Sequence, residues 1–291
     1  MNILVFGDIL WDLFPESMGG RKIGGAAFNF AAHISKLGAN TDFVTAVGDD
    51  DLGHDALKKI EYYGISTNYV TVHPNHSTGA CIVSVDENGI PSYKLAEGVA
   101  FDYIFTKGAE NKVSKGFYDV LYIVTFPQRN EVSAKAADIL LENSVENYQE
   151  VFCDINFRGN FYNLSMVEKC LHSCSILKVS REEKDTFEEL GICSCKDEEA
   201  MAAYIAEKYN IKLVVVTLNK DGAFVYDRKT KKCLYSHKPC SKVVSTVGAG
   251  DSFSASFIYN YIRKQPLDIC LREAVNLSSY VVSFAEAIPE D

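Results

Sequence analysis

Five residues near the carboxyl end, "VGAGD" at 247–251, put two glycines and an acid directly ahead of the run "SFSASFIYNYI". Glycine reaches backbone conformations closed to other residues and leaves no side chain in the way, so several N–H groups can turn into one concavity. A helix starting there adds unbonded N–H groups and about half a positive charge. Phe253, Phe257, Ile258, Tyr261 and Ile262 give that helix one apolar face, which would hold its start rigidly. Together these features make an anion site. Asp251 stands beside the anion, and two readings are open. It caps the helix, or it accepts a proton from a hydroxyl attacking the anion, help worth about 10² to 10⁴ in rate.

Such a site needs a scaffold, and the chain supplies an alternation of strands and helices. "NILVFGDI" reads as a short buried strand, Ala26 to Leu37 has helical spacing with Gly38 as a stop, and "DFVTAVG" is a second strand. A helix over about Leu52 to Tyr63 ends at Gly64. Further strands are "DVLYIVTF", "EVFCDIN", "SILKVS" and "KLVVVTL", with helices at 131–142 and 197–209 between them. This order predicts an α/β fold, a doubly wound and mostly parallel sheet flanked by helices. Residues 68–95 break the rhythm: "NYVTVHP" and "TGACIVSVDENGIPSYKL" read as consecutive strands of a small antiparallel sheet, with "ENG" as a hairpin turn. "GAFVYDRKTKKCLYS" reads as a late hairpin with a polar tip. The expected division is a main domain of 1–9, 25–65 and 106–291, and a β lid of 10–24 and 66–105.

Composition narrows the function classes. With 291 residues, 47% hydrophobic and 23% charged, the chain can bury a full core. A formal charge of −10 argues against nucleic-acid binding, which needs a basic face. No run approaches the roughly 18 apolar residues of a membrane span. The first residues lack a basic stretch, and Asp8 and Asp12 spoil a signal peptide, so a cytoplasmic protein is expected. Nine cysteines without paired CxxC spacing, the closest being Cys193–Cys195 and Cys170–Cys174, read as reduced thiols. There is no GxxxxGK[ST] and no GxGxxG after the first strand, against P-loop kinases and dinucleotide-binding dehydrogenases. The six histidines are scattered, and none forms an HxxxH pair.

"STVGAGDSFSASF" resembles the C-terminal signature, D-T-x-G-A-G-D, of the ribokinase-like (PfkB) family of sugar and nucleoside kinases, and "GGAAFNFAAHISKLG" resembles its N-terminal one. "GDILWDLFP", "TAVGDDDLGHDAL", "GVAFDYI", "FPQR", "DINFR", "SREE" and "TLNKDGAF" follow the family's order and spacing, nearest to its bacterial fructokinases. The resemblance implies that Asp251 is the base and that the backbone of Gly248, Ala249 and Gly250 forms the anion hole. It implies Arg158 beside the transferring phosphate, and Asp12, Gly24, Gly25 and Asn29 around the sugar. Asn156, Ser180, Thr217, Gly222 and Asn276 would surround the nucleotide, and Glu183 would organise magnesium through water.

Three positions depart from the family's pattern. The signature's leading acid is Ser245 here, which counts against the monovalent-cation activation seen in relatives. "SREE" begins with Ser180 where relatives often have Asn, and Asn219 stands where they commonly have Gly. The implied activity is phosphoryl transfer from ATP, with Mg²⁺, to a small sugar. Fructose is the favoured acceptor, with ribose, a nucleoside or 2-keto-3-deoxygluconate as alternatives. A regulatory protein that binds sugar without turnover is the rival of another class, and a homodimer through the lid is the expected assembly.

Overall fold

The computed structural model describes residues 1–15, 20–85, 91–147, 150–240 and 242–290. The strands, in chain order, are β1 (Asn2–Phe6), β2 (Leu10–Leu13), β3 (Arg21–Gly24), β4 (Asn40–Gly48), β5 (Val70–His73), β6 (Gly79–Val85), β7 (Pro91–Leu95), β8 (Val120–Val124), β9 (Glu150–Asp154), β10 (Ile176–Ser180), β11 (Leu213–Thr217), β12 (Ala223–Asp227) and β13 (Lys232–Ser236). The helices are α1 (Ala26–Lys36), α2 (Asp51–Tyr62), α3 (Ala109–Val113), α4 (Glu131–Asn147), α5 (Leu164–Ser173), α6 (Glu183–Glu189), α7 (Glu198–Lys208), α8 (Ala249–Ile262) and α9 (Leu267–Val281).

A nine-stranded sheet runs in the order β13-β12-β11-β10-β9-β8-β1-β4-β5. It is parallel from β11 to β5 and closes at one edge with the antiparallel hairpin β12–β13. Successive residues of a strand face opposite sides. Ile3 and Val5 therefore enter one buried core with α1, α8 and α9, while Leu4 and Phe6 enter another with α4, α5 and α7. The expected doubly wound fold is present. From β1 the chain steps outward to β4 and β5, then returns to build β8 to β11 on the other side. The strand order thus reverses beside β1, and the crevice beyond the carboxyl ends of β1 and β8 is where such sheets gather ligands.

A second, four-stranded sheet has the order β3-β2-β6-β7. Two expectations need correction here. "NYVTVHP" does not join this sheet: β5 pairs parallel with β4 and forms the edge of the main one, inside the stretch assigned to the lid. Nor is the small sheet purely antiparallel, because β2 and β6 run parallel. Alternation of apolar residues marks a strand but cannot name its partner. The expected "ENG" turn at 87–89 lies outside the described residues. The helix over 249–262 also differs from expectation. Ser252, Ser254 and Ser256 are as buried as Phe253 and Phe257, so its first turns are enclosed all round.

Candidate active site

Gly248 opens α8 in the left-handed region at φ 78°, and a Cβ there would stand 2.7 Å from the carbonyl oxygen of Ala287. Only glycine fits that corner. The first helical bond runs from Ser252 N to Gly248 O at 2.9 Å. Ala249 N is already bonded to Thr246 O at 3.2 Å. Among the described residues the amides of Gly248, Gly250 and Asp251 have no acceptor. The glycine corner thus leaves three amides unbonded, while Ala249 contributes its position rather than a free donor. The tail beyond α9 braces the corner: His33 on α1 donates from Nε2 to Ala287 O at 2.8 Å. Burial holds His33 neutral, lowering its pKa to about 4.

Asp251 follows in the first turn of α8 and is almost wholly buried. Its Oδ2 accepts a hydrogen bond of 2.8 Å from Nδ2 of Asn29, which stands on α1. Asn29 Oδ1 is buried and without a partner. The two signatures therefore meet side chain to side chain across 222 positions of sequence. Burial pushes the Asp251 carboxyl up to about 7, and the charge of Asp154 adds to this, while Asn29, Arg158 and Lys178 hold it down. A carboxyl poised near neutrality is suited to accept a proton.

The Gly24–Gly25 turn lies against the end of β1. Gly25 has φ 106°, and a Cβ there would fall 2.7 Å from Asp8 O. The Asp8 carboxylate accepts from Ala26 N at 3.1 Å and Ala27 N at 3.5 Å, so it caps α1 and fixes where Asn29 emerges. Asp12 sits on β2 in register with Lys22 and Cys81. Its Oδ2 would be 3.1 Å from a Cβ on Gly24, which places the carboxylate directly over the glycine pair. Burial raises the pKa of both acids, and the Arg158 charge opposes this in each. The Arg158 charge thus favours the ionised form of Asp8, Asp12 and Asp251 alike, and the residue itself is exposed.

Beyond β9 the chain turns at Asn156, which adopts φ 47° and leaves its Oδ1 buried without a partner. Glu183 clamps this turn to the end of β10: its Oε1 accepts from Phe157 N at 3.0 Å and its Oε2 from Ser180 N at 2.6 Å. Burial raises its pKa, and Lys178 and the two amides counter that. Ser180 and Thr217 end adjacent strands in register. Gly222 has φ 91°, and a Cβ there would fall 2.2 Å from Ser236 O. Asn276 is half-buried on α9, which packs against α8 and β13. Ser245 donates its amide to Val282 O at 3.3 Å, and Val243, Val244 and Val247 around it expose apolar surface.

The fold thus brings Asp12 against Gly24 and Asn29 against Asp251, while Ser180 and Thr217 pair at the ends of β10 and β11. Sequence reading missed four contributors. Asp8 was noted only as an acid, yet a carboxylate just ahead of a Gly-Gly pair signals a capped turn. Cys81, a residue of the small sheet, has its thiol beside Asp12 and is pushed up to about 11 by burial and that charge. Asp154 and Lys178 form a buried ion pair of 3.1 Å, visible in sequence only as charges inside apolar strands. A cavity of about 630 Å³ lined by Lys212, Asp227 and Arg228 lies at the opposite end of β11 and touches none of these residues.

Comparison with known proteins agrees with this geometry. The model for "pfkB family carbohydrate kinase" matches residues 13–290. A fructokinase of Salmonella typhimurium is 25% identical over 265 residues, covering 88% of this chain and 83% of that protein. A 5-dehydro-2-deoxygluconokinase of Geobacillus thermodenitrificans is 26% identical over 277 residues, covering 90% and 79%. Among solved structures, Xylella fastidiosa fructokinase with bound ATP superimposes with a TM-score of 0.82 at 20% identity, covering 99% of this chain and 94% of that one. Vibrio cholerae fructokinase, in its form with fructose, ADP and calcium ion, gives 0.81 at 20% identity with the same coverage. These likenesses establish the ribokinase-like fold, and the family model spans nearly the whole chain. The chain belongs to the pfkB family of carbohydrate kinases, phosphotransferases that use ATP.

Proposed function

We propose that this kinase phosphorylates a terminal hydroxyl of a small sugar and that fructose is its favoured acceptor. The observation that carries the reading is the hydrogen bond between Asn29 and Asp251, which joins the sugar-side turn to the acid at the anion nest. Asp12, over the Gly24–Gly25 turn, accepts from two neighbouring hydroxyls of the sugar. Asn29 Oδ1, buried and without a partner, accepts another. Asp251 takes the proton of the attacking hydroxyl. The amides of Gly248, Gly250 and Asp251, the start of α8 and the Arg158 guanidinium stabilise the transferring phosphoryl group. Phosphoryl transfer asks for little beyond such placement and charge.

The nucleotide lies along Asn156, Ser180, Thr217 and Gly222, with Asn276 and the apolar surface of Val243, Val244 and Val247 around its base. Among the described residues no cluster of three or more His, Cys, Asp or Glu could hold a metal. A magnesium ion carried on phosphate oxygens and waters would need no such cluster, and the buried carboxylate of Glu183 at the Asn156 turn would bond those waters. When bound, the ion neutralises phosphate charge. The small sheet acts as the lid, closing over the sugar to keep water from the phosphoryl group. A second copy pairs against that sheet, where Ile82 on β6 is exposed.

A sugar acid is the second reading, favoured by the gluconokinase relative at 26% identity, against 25% for the fructokinase, and by the Arg158 charge acting on Asp12. Coupled ADP release, measured with fructose, ribose, nucleosides and 2-keto-3-deoxygluconate, separates these. The expected result is the highest kcat/KM on fructose. Sugar binding by calorimetry without ADP release would instead make the chain a binding module.

A further inference from the structure

Lys178 lies in the middle of a central strand, almost wholly buried, where an amino group must have a reason to be charged. Its Nζ is 3.1 Å from Oδ1 of Asp154, itself inaccessible to solvent. Asp154 Oδ2 is held from the other side by Ser254 Oγ at 3.3 Å and Tyr122 OH at 3.4 Å. Ser254 is one turn beyond Asp251 on α8, so the pair is fixed to the helix that carries the acid. A Cβ built on Gly250 would come 3.4 Å from Lys178 Nζ, which puts the ammonium directly behind the anion nest.

We propose that Lys178, held by Asp154, is a positioning residue for phosphoryl transfer, its ammonium standing behind Gly250 to supply fixed positive charge to the nest and to balance the carboxylate of Asp251. The proposal rests on the kinase reading above. A buried ion pair adds little to stability over a well-packed apolar pair, so stability alone does not account for it. Its position does. The charged and polar groups facing Asp251 are Asn29 from α1, Tyr122 from β8, Asp154 from β9, Arg158 from the following turn and Lys178 from β10. Of the two cations, Arg158 is exposed and free to follow a substrate, whereas Lys178 is immobilised before any ligand arrives. Preorganised charge in a water-excluded site is the most effective kind.

Two arms of one experiment test this with the full-length protein. The first follows the Asp251 carboxyl by carbon-13 NMR titration of aspartate-labelled protein, assigned by its loss in Asp251→Asn. Lys178→Met is expected to move the titration to higher pH, Asp154→Asn to lower pH, and Lys178→Arg to leave it near wild type. The second measures turnover on whichever sugar the wild type accepts. Lys178→Met is expected to lower kcat about tenfold to a hundredfold with KM for the sugar little changed, and Lys178→Arg to restore most of it. Should Lys178→Met not fold, Lys178→Gln, which keeps a polar group beside Asp154, is read in the same two arms with the directions expected of Lys178→Met. Unmoved titrations and wild-type kcat in the folded variants would overturn the role of Lys178. Absence of turnover in the wild type would instead overturn the kinase reading, leaving the titration arm to judge Lys178.

Discussion

A carboxylate buried at the start of a helix is costly to ionise, and Asp251 is the clearest case in this chain. Its ordinary value of 3.8 is raised to about 7, so the folded protein holds a proton that the unfolded chain has released between those values. The sign follows directly: the contribution of Asp251 to stability is full below about 4 and declines as pH rises through about 7, by at most roughly 1.4 kcal/mol per pH unit. Asp251→Asn removes that decline. At pH 8 the variant is expected to melt a few degrees above wild type, and the gap should vanish near pH 4, as calorimetry or thermal scans would read. The same ionisation gives kcat/KM an acidic limb centred near pH 7, because only the carboxylate accepts a proton. At this scale the sequence was informative about Asp251 and Asn29, whose neighbours carry a pattern. It was silent about Lys178, because a lysine within "SILKVS" looks like a solvent-facing strand residue until a partner strand supplies Asp154.

At the scale of elements, glycine corners decide where the chemistry sits. Gly248 holds φ 78° with Ala287 packed where its side chain would be, so Gly248→Ala adds strain and a clash with backbone that cannot retreat. A loss of about 2 kcal/mol in urea unfolding is expected, with kcat falling more than KM rises because the nest amides turn away from the phosphoryl group. Helices and strands were largely legible in the sequence: α1, α2 and the strands of the parallel sheet fall where apolar spacing and glycine stops put them. Pairing was not. β5 joins β4 at the edge of the main sheet although its sequence reads like its neighbours in the small one, because alternation reports exposure of two faces and says nothing about which edge a strand meets. The enclosure of α8 was missed for a related reason. Its serines look polar, yet their hydroxyls find partners inside: Ser254 bonds Asp154, and Ser252 Oγ bonds Ala249 O at 3.0 Å.

For the whole molecule, the feature that matters is the presence of two sheets, the nine-stranded one and the separate four-stranded one. The small sheet is tied to the main body by few polar contacts, among them Trp11 Nε1 to Leu52 O at 2.9 Å and the partly exposed Arg21–Asp55 ion pair at 2.5 Å. Pairs of that kind are weak in water and can be exchanged for contacts with a ligand. Hydrogen exchange across β2, β3 and β6 is therefore expected to slow when sugar and a non-hydrolysable ATP analogue are added together, more than with either alone. That residues from opposite ends of the chain, Asn29 and Asp251, come together was readable from two short signatures. The placing of Cys81 beside Asp12 was not, since it depends on strand register. The most direct test of the central claim is single-turnover transfer of labelled γ-phosphate from ATP to fructose, compared between wild type and Asp251→Asn. The account predicts labelled sugar phosphate from wild type and a rate lower by about 10² to 10⁴ in the variant. Transfer by Asp251→Asn at close to the wild-type rate would contradict it.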